Sequence, residues 1–336
     1  MGRVEMEDKV AVIGATGHIG NTLSRVLLKE GSKVVAIIPA YEDITPIKDL
    51  DIEIRHADLR DYNSLKSAVS NCKTVYNTAG IVSIGSFNWQ KMYEINVVGA
   101  KNVALACVEQ NVQRLVYTSS VHAIKEPAQG TTIDESLPFE PEIVRGNYAK
   151  SKALATNEVL KIVREKDLDA VVVCPSGVIG PYDYKVSEMG TLILNIANGK
   201  MKFYIDGAYD FIDVRDVAQG IILAAKKGKK GESYILSGEK ITVRELFSTV
   251  NRILGRSQSH IRLPYKVAQF ASFFTPIIAR ITNTKVLFTS YSIAVLLSNS
   301  DISNRKAKDE LGFTARTIKE SLNDAINWFK ERGLIR

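Results

Sequence analysis

A tyrosine and a lysine stand four residues apart at Tyr148 and Lys152, in the stretch G-N-Y-A-K-S-K. On a helix this spacing places both side chains on one face, so the ammonium group can lie beside the phenol and stabilise its anion. Free tyrosine titrates near 10, so proton transfer near neutrality needs a shift of roughly three units, about 4 kcal/mol. One cation at about 4.5 Å, with an effective dielectric constant of about 20, supplies energy of that order. The pair predicts a phenol that donates and accepts a proton.

The same spacing occurs at Tyr62 and Lys66, so the pair alone does not identify a site. The context of Tyr148 is different, because a glycine turn, G-A-T-G-H-I-G from Gly14 to Gly20, lies about 130 residues before it. An apolar run of strand length precedes this turn and a helical pattern follows it. Glycine lets the backbone approach a pyrophosphate, and a helix N-terminus presents N–H groups to it. The strand, turn and helix together predict a dinucleotide site.

The first half of the chain alternates apolar runs of strand length with amphipathic segments of helix length, a pattern typical of a parallel sheet wrapped by helices. The two longest helices are predicted from Asn88 to Glu109 and from Tyr148 to Glu165. Strands are predicted at Lys9–Ile13, Lys33–Ile38, Ile52–His56, Thr74–Asn77, Arg114–Ser119 and Ala170–Cys174.

These elements predict an α/β fold with a Rossmann-type doubly wound parallel sheet. After Pro175 the regular alternation decays into short segments broken by glycine and proline. We therefore expect residues 1–175 to form the dinucleotide-binding core. Residues 176–336 are expected to form mainly a smaller α+β substrate cap, with segments that return to the core.

The composition is ordinary for a globular protein with a modest basic excess. The 336 residues include 44 lysines and arginines against 37 acidic residues, which gives a formal charge of +7. The basic residues cluster only from Lys226 to Lys230, and no recognition motif accompanies them. A nucleic-acid surface is the alternative interpretation of that cluster, but we expect a solvated helix end and no nucleic-acid partner.

Cysteine spacing and the N-terminus indicate the compartment. Cys72, Cys107 and Cys174 have no paired spacing, which favours reduced thiols in a cytoplasmic protein. No apolar leader precedes the first predicted strand, and no run of about 18 apolar residues predicts a membrane-spanning helix. No grouping of His, Cys, Asp and Glu has metal-ligand spacing, so no metal site is expected.

Further motifs follow the glycine turn in a recognisable order. They are H-A-D-L-R-D around Asp58, N-T-A-G from Asn77, I-N-V-V-G around Asn96, and T-S-S ending at Ser120. With Y-A-K-S-K from Tyr148 and the glycine spacing G-x-x-G-x-x-G, they resemble the short-chain dehydrogenase/reductase superfamily. The C-terminal half, with P-S-G-V-I-G-P and D-F-I-D-V-R-D-V-A, is similar to its extended branch, the NAD-dependent epimerase/dehydratase family. The 3β-hydroxysteroid dehydrogenase and dihydroflavonol reductase groups look most similar.

The resemblance implies a role for each reacting group. Ser120 would lie beside the substrate oxygen, Tyr148 would donate or accept the proton, and Lys152 would hold the nicotinamide ribose beneath the phenol. Ser119 is the alternative serine. Asn96 would complete the catalytic set by holding the backbone or a water in a proton path to the lysine, or would make an ordinary polar contact.

The resemblance also implies cofactor and substrate contacts. We do not expect the loop histidine His122 to be catalytic, because Tyr148 already supplies the acid and base. Its side chain is expected to point to solvent or to line the pocket wall. The alternatives are purely structural roles: a helix N-cap for Asp58, and packing at strand ends for Leu59, Ala79 and Gly80. The expected cofactor contacts are Gly14, Thr16, Gly17, His18, Ile19, Gly20, Asp58, Leu59, Thr78, Ala79, Gly80, Tyr148, Lys152, Pro175 and Val178. The expected substrate contacts are Ser83, Ser120, His122 and Gly180.

The choice between NAD and NADP stays open. An acidic residue at the end of the second strand receives the ribose hydroxyls of NAD, whereas a nearby arginine receives the phosphate of NADP. Ile38 and Pro39 occupy these positions, and Glu42 and Asp43 come slightly later.

Two reaction classes compete for the same tyrosine and lysine. One is a dehydrogenase or reductase acting on a secondary alcohol or ketone; the other is a nucleotide-sugar epimerase or dehydratase. Extended enzymes that hold sugar nucleotides usually place arginines on the diphosphate, just before the D-F-I-D-V segment and before a late aspartate. The stretches 207–211 and 297–301 contain none, although Arg280 or Arg305 could substitute. We therefore favour the dehydrogenase with a small-molecule substrate.

Two apolar segments, 265–281 and 286–297, indicate what the cap covers. They are rich in aliphatic and aromatic residues, which suits a bulky apolar substrate such as a steroid- or flavonoid-like ring system. The alternatives are cap helices that pack on their own core, or peripheral contact with a membrane. Polar residues and Pro276 interrupt the first segment, so we do not expect membrane contact. A homodimer is also expected.

Overall fold

The computed structural model describes residues 9–82, 88–257, 260–267, 296 and 298–335. Its main feature is a parallel sheet of seven strands. The strands are β1 Lys9–Ile13, β2 Lys33–Ile38, β3 Glu53–His56, β4 Thr74–Asn77, β5 Arg114–Thr118, β6 Ala170–Pro175 and, from much later in the chain, β10 Ser233–Leu236. The bounds of the six predicted strands are correct to within one residue, and β10 was not predicted.

The strand order in this sheet is β10-β6-β5-β4-β1-β2-β3. The chain therefore begins in the middle, winds outward through β2 and β3, and returns across β1 to wind outward in the other direction. Ligands of such sheets bind beyond the carboxyl ends of the strands at the point where the order reverses, here between β1 and β4. The expected doubly wound α/β fold is confirmed.

Helices cover both faces of the sheet. One face packs against α2 Tyr62–Ala68, α4 Gly99–Glu109 and α5 Asn147–Lys166. The other packs against α1 His18–Lys29 and α7 Val214–Lys227. Burial on both faces explains why the central strands are continuous runs of valine, isoleucine and alanine rather than alternating patterns.

The long helix predicted from Asn88 to Glu109 is interrupted. It consists of α3 Trp89–Tyr93, a π-helical turn Glu94–Val98, and α4. Such turns occur as single insertions within α-helices and often at functional sites. Here the turn carries Asn96, whose side chain is buried against α5.

A smaller α+β unit follows β6. Its sheet has the order β11-β9-β7, from β7 Gly177–Ile179, β9 Ala208–Asp213 and β11 Glu239–Thr242, and a separate pair joins β8 Phe203–Tyr204 to β12 Ile261–Arg262. The helices α6 Glu188–Ala197, α8 Val243–Ile253 and α9 Ile318–Glu331 pack on these strands around one apolar cluster. The intervening α7 and β10 belong to the large sheet, so the chain crosses between the two units more than once.

Two helices of the smaller unit begin at capping boxes that are visible in the sequence. The hydroxyl groups of Thr242 and Thr317 accept from the backbone N–H groups of Glu245 and Glu320, whose carboxylates reach back to the threonine N–H groups. By contrast, the apolar segments 265–281 and 286–297 fall outside the described residues, apart from residues 265–267 and Leu296. Their role as a substrate cover stays a prediction.

Candidate active site

The glycine turn lies at the carboxyl end of β1 and leads into α1. Gly14 has φ +82°, a conformation that favours glycine, and a Cβ there would lie 2.8 Å from the Cα of Ala79. A Cβ at Gly20 would lie 2.1 Å from the carbonyl oxygen of Gly14. These two glycines therefore let the turn pack closely on α1 and on the chain after β4.

Gly17 differs from the other two glycines. It precedes α1 in an extended conformation, with φ −74° and ψ 167°, which any residue can adopt. Among the described residues no side chain caps this end of α1, so the helix presents uncapped N–H groups and its positive dipole end. The turn fits a dinucleotide pyrophosphate at this end of the helix.

The segment after β4 joins the glycine turn to the catalytic candidates. Thr78 donates from its N–H and its hydroxyl to the carbonyl oxygen of Ile13, at 3.0 and 2.9 Å. Two residues later, a Cβ at Gly80 would lie 3.3 Å from Lys152 Nζ and 3.2 Å from Asn96 Oδ1. Thr78, Ala79 and Gly80 therefore form a strip of backbone between the glycine turn and the lysine.

Lys152 is buried, with 4% of its surface exposed. Its ammonium donates to the carbonyl oxygen of Thr118 at 2.8 Å and lies 5.2 Å from the ring centroid of Tyr117. Burial lowers the pKa of Lys152 to about 8, because the charged form loses its hydration. The side chain still carries its charge in most molecules at neutral pH.

Asn96 uses its side-chain amide to connect three segments. Its oxygen accepts from the N–H of Ile81 at 2.7 Å, and its nitrogen donates to the carbonyl oxygen of Ile81 at 3.0 Å and to Ser151 Oγ at 2.9 Å. Ser151 in turn donates to the carbonyl oxygen of Tyr148 at 2.8 Å. The amide therefore fixes the strip after β4 against the first turn of α5.

The two serines after β5 point to different partners. Ser119 Oγ lies 2.7 Å from Thr156 Oγ1, and Thr156 donates its own proton to the carbonyl oxygen of Lys152, so Ser119 is the donor. Ser120 Oγ instead accepts from the N–H of His122 at 3.2 Å. That bond leaves the hydroxyl proton of Ser120 for another acceptor. The geometry therefore favours Ser120 as the serine that reaches a substrate oxygen.

Tyr148 lies in the first turn of α5 and is half-buried, on the helix that also carries Lys152. The alternative pair has a different setting. Tyr62 donates to Glu109 on the protein surface, and Lys66 forms an ion pair with the same carboxylate. That pair is an ordinary surface contact, away from the glycine turn.

A cavity of about 360 Å³ is lined in part by residues that directly follow Ser120 and Tyr148 in the chain, although neither Ser120 nor Tyr148 is in its lining. The lining residues are 121, 122, 124–129, 133, 143–145, 149, 298, 299 and 302. His122 lines the cavity and is an exposed residue. Its role as a substrate contact stays a prediction.

Three residues that were expected to contact the cofactor or the substrate make other contacts within the protein. Asp58 pairs with Arg60, while Asp61 caps α2, so Asp58 is not a helix N-cap. Leu59 packs against α4 at Gly99. Gly180, at φ +136°, lies against Val214 and Asp213 and is absent from the cavity lining.

The remaining expected residues lie around the same edge of the large sheet or outside the described residues. Pro175 ends β6, and Val178 pairs with Ile212 in the smaller sheet. Ile19 is half-buried against the apolar core beneath α1. Ser83 falls outside the described residues. The cofactor and substrate roles of all these residues stay predictions.

The sequence analysis missed one residue beside the glycine turn. Lys185 donates to Thr16 Oγ1 at 3.2 Å and forms an ion pair with Glu42. It stands 169 positions after Thr16, so no local pattern pointed to it. His18 holds the same loop, with its Nε2 2.9 Å from the carbonyl oxygen of Pro181.

Other chemistries find no support in the described ranges. Cys72, Cys107 and Cys174 are buried free thiols, and burial raises the pKa of each, to about 12 for Cys174. Within those ranges no group of His, Cys, Asp and Glu could hold a metal ion. Every described helix is too short or too polar to cross a membrane.

A doubly wound sheet with a glycine turn at its switch point, and a buried lysine on the helix that carries a tyrosine, defines a nicotinamide-dependent enzyme of the Rossmann type. Comparison with known proteins specifies the family. Residues 10–237 match the NAD dependent epimerase/dehydratase family, and the chain belongs to it. It is an enzyme of the extended short-chain dehydrogenase/reductase type, as the sequence motifs predicted.

Three similar proteins illustrate the family. Sterol demethylase protein B of Methylococcus capsulatus is 32% identical over 96% of this chain and 99% of its own length. A putative dihydroflavonol 4-reductase of Synechocystis is 32% identical over 99% and 98%. The crystal structure of gox2253 has a TM-score of 0.87 and 33% identity, and the match covers 98% of this chain and 100% of that one.

Proposed function

We propose that this protein transfers a hydride between a nicotinamide cofactor and a secondary alcohol or ketone on a bulky, apolar substrate. The observation that carries the proposal is the cavity lined by Val121 and Ala149, the residues that follow Ser120 and Tyr148 in the chain. Its volume of about 360 Å³ lies in the range of small-molecule sites. Its lining is mixed: aliphatic side chains such as Val121, Ile124 and Ile302 offer an apolar surface, and polar and charged residues such as Lys125 and Glu126 line the rest.

The reacting groups have distinct tasks in this proposal. When bound, the cofactor would donate a hydride to a ketone, which leaves negative charge on the ketone oxygen, or accept one from an alcohol as the alcohol loses its proton. Ser120 donates a hydrogen bond to that oxygen, and Tyr148 exchanges a proton with it. The ammonium of Lys152, fixed by Thr118, stabilises the phenolate. Asn96 holds the helix turn of Tyr148 in position through Ser151.

The positions expected to carry arginines in a sugar-nucleotide enzyme support the preference for an apolar substrate. In the first stretch, 207–211, Tyr209 is half-buried and stacked on Phe211 with ring centroids 5.3 Å apart. In the second stretch, 297–301, Asn299 bonds to Glu126 and to the carbonyl oxygen of Thr131. Neither stretch contains a guanidinium for a diphosphate. The names of two relatives refer to a sterol and a dihydroflavonol, which are compounds with fused rings.

A nucleotide-sugar epimerase or dehydratase is the second candidate. Arg145 favours it, because this exposed guanidinium lines the cavity and suits an anionic group. The two candidates predict different cofactor behaviour. A dehydrogenase changes the nicotinamide absorbance with each turnover, whereas an epimerase returns the hydride to its substrate.

One screen tests the proposal. Both cofactors are incubated with hydroxysteroids, flavanonols, simple ketones and common nucleotide sugars, and absorbance and product identity are followed together. We expect net oxidation or reduction with hydrophobic alcohols or ketones. Sugar interconversion without net cofactor change would overturn the proposal in favour of the epimerase.

We also propose that the chain is divided into two functional parts. Residues 1–175 form the dinucleotide-binding core and residues 176–336 mainly the substrate cap. The end of β6 at Pro175 and the start of the smaller sheet at Gly177 support this division. We assign the enzyme to the cytoplasm as a homodimer, which the reduced thiols and the family resemblance support. Light scattering tests the dimer, and cell fractionation tests the compartment.

A further inference from the structure

The loop between β7 and α6 lies directly over the glycine turn, although it belongs to the smaller unit. Its backbone is held by α1, where His18 Nε2 lies 2.9 Å from the carbonyl oxygen of Pro181 and Asn21 Nδ2 donates to that of Tyr182 at 3.2 Å. Tyr182 and Val186 have φ angles of +67° and +50°. Non-glycine residues in this conformation are uncommon, and they persist where the surrounding contacts impose it.

This loop places Lys185 between the glycine turn and the chain that leaves β2. Its ammonium donates to the buried hydroxyl of Thr16 at 3.2 Å and pairs with the carboxylate of Glu42. The side chains of Lys185 and Glu42 remain 48% and 25% exposed. An exposed ion pair is weak, so the ammonium can exchange this partner for another anion.

The position of the ammonium is the one that distinguishes the two nicotinamide cofactors. In this fold the adenosine ribose lies between the glycine turn and the end of the second strand, where an acidic residue receives its hydroxyls or a cation receives a 2′-phosphate. Ile38 and Pro39 at the end of β2 supply neither charge. Lys185 brings a cation to this edge from a distant part of the sequence.

We propose that Lys185 binds the 2′-phosphate of NADP and gives the enzyme its preference for NADP over NAD. The inference rests on the dinucleotide site of the proposed function, but not on the substrate. Glu42 holds the ammonium beside Thr16 in the free protein and is displaced by the phosphate, which offers charge-assisted hydrogen bonds.

The pyrophosphate is a second phosphate group of the same ligand, and it lies at the N-terminus of α1. The location of Glu42 favours the 2′-phosphate, because Glu42 belongs to the segment that directly follows β2. If Lys185 binds the 2′-phosphate, its loss affects NADP binding alone; if it binds the pyrophosphate, its loss affects NADP and NAD binding equally. Only the 2′-phosphate distinguishes NADP from NAD, whereas both carry the pyrophosphate.

Calorimetric titration of the purified full-length protein with NADP⁺ and NAD⁺, without substrate, tests this inference. We expect the wild type to bind NADP⁺ more tightly. Lys185→Gln should weaken NADP⁺ binding by about tenfold or more and change NAD⁺ binding by less than about threefold. Lys48→Gln is the matched control, because it removes one exposed positive charge that acts on Asp43, as Lys185 does, and it should change neither affinity by more than about threefold.

Glu42→Gln is a second test, and it should bind NADP⁺ at least as tightly as the wild type because it removes a competing carboxylate. An equal loss of both cofactors in Lys185→Gln would assign the lysine to the pyrophosphate and overturn the inference. Tighter binding of NAD⁺ than NADP⁺ by the wild type would also overturn it. Because the titration contains no substrate, failure of the substrate proposal leaves its result unchanged.

Discussion

Lys152 Nζ lies 2.8 Å from the carbonyl oxygen of Thr118, at the carboxyl end of β5. This bond joins the second turn of α5 to the strand that leads directly into the serine pair. The ammonium therefore has a fixed position before any ligand arrives, and so do the residues that follow Thr118. The positions of the lysine and of Ser120 depend on the same strand end.

Replacing Tyr148 by phenylalanine should abolish turnover and leave cofactor binding within a few-fold of the wild type. The hydroxyl is needed for proton transfer, which contributes about 10² to 10⁴ in rate. Turnover and cofactor titration are measured on one preparation. Tyr62→Phe is the control, because it removes a phenol with the same lysine spacing from the surface and should keep full activity. Retention of more than about a tenth of the activity by Tyr148→Phe would contradict the assignment.

Gly17→Val should fold normally and lose the dinucleotide. Its backbone conformation suits any residue, and a Cβ there has one close neighbour, Gly14 O at 3.3 Å, but the branched side chain blocks approach to the pyrophosphate. Gly14→Ala is the contrasting variant. Its positive φ and the contact with Ala79 should destabilise the fold by about 1–3 kcal/mol.

Thermal unfolding with and without cofactor distinguishes these two effects. Gly17→Val should match the melting temperature of the unliganded wild type and gain nothing from NAD or NADP. If it is still stabilised by either cofactor, the glycine turn has only a structural role.

Ser120→Ala should lower kcat by about 10² to 10³, the usual effect of removing one hydrogen bond to a developing oxyanion. Ser119→Ala should keep kcat within about fivefold and lose about 1 kcal/mol of stability, because Thr156 loses a buried donor. Steady-state kinetics and urea unfolding of both variants check this contrast. A larger loss of kcat in Ser119→Ala would reverse the choice of serine.

The lowered pKa of Lys152 predicts a pH-dependent stability in the protein without cofactor. The folded-state pKa is about 8, below the ordinary value of 10.5. Between these values the unfolded chain binds more protons than the folded one, so stability rises with pH. Below pH 8 the lysine is charged in both states, and its burial costs stability that is recovered only as pH rises through this window.

Comparison with Lys152→Met isolates this effect from other titrating groups. The free energy of unfolding of the wild type, relative to the variant, should rise between pH 8 and pH 10, with a slope of at most about 1.4 kcal/mol per pH unit. Urea unfolding at several pH values provides the measurement. A difference that stays constant with pH would mean that Lys152 keeps its ordinary pKa.

The sequence predicted the strands and the glycine turn well because their signals are local. Buried strands are short apolar runs, and the turn needs glycine at Gly14, where φ is +82°. The resemblance identified Ser120, Asn96 and Lys152, and the structure brings Asn96 and Lys152 together around Gly80. Nothing local in the sequence distinguishes Ser119 from Ser120; the contact with Thr156 does.

Contacts between distant segments could not be predicted from a local pattern. Lys185 meets Thr16 only because the smaller unit folds back over α1. The π-helical turn at Glu94–Val98 was also missed, since no local pattern predicts it; Asn96 within this turn contacts the distant residues Ile81 and Ser151.

The π-helical turn limits how the length of this protein can vary. It contains one residue more per turn than an α-helix, so deletion of a single residue between Glu94 and Val98 would give a regular helix. That regular helix would rotate α3 by about 100° relative to α4, because each residue advances an α-helix by that angle. The amide of Asn96 would then no longer reach both Ile81 and Ser151. Insertions and deletions in related enzymes should therefore avoid this turn and accumulate in the surface loops.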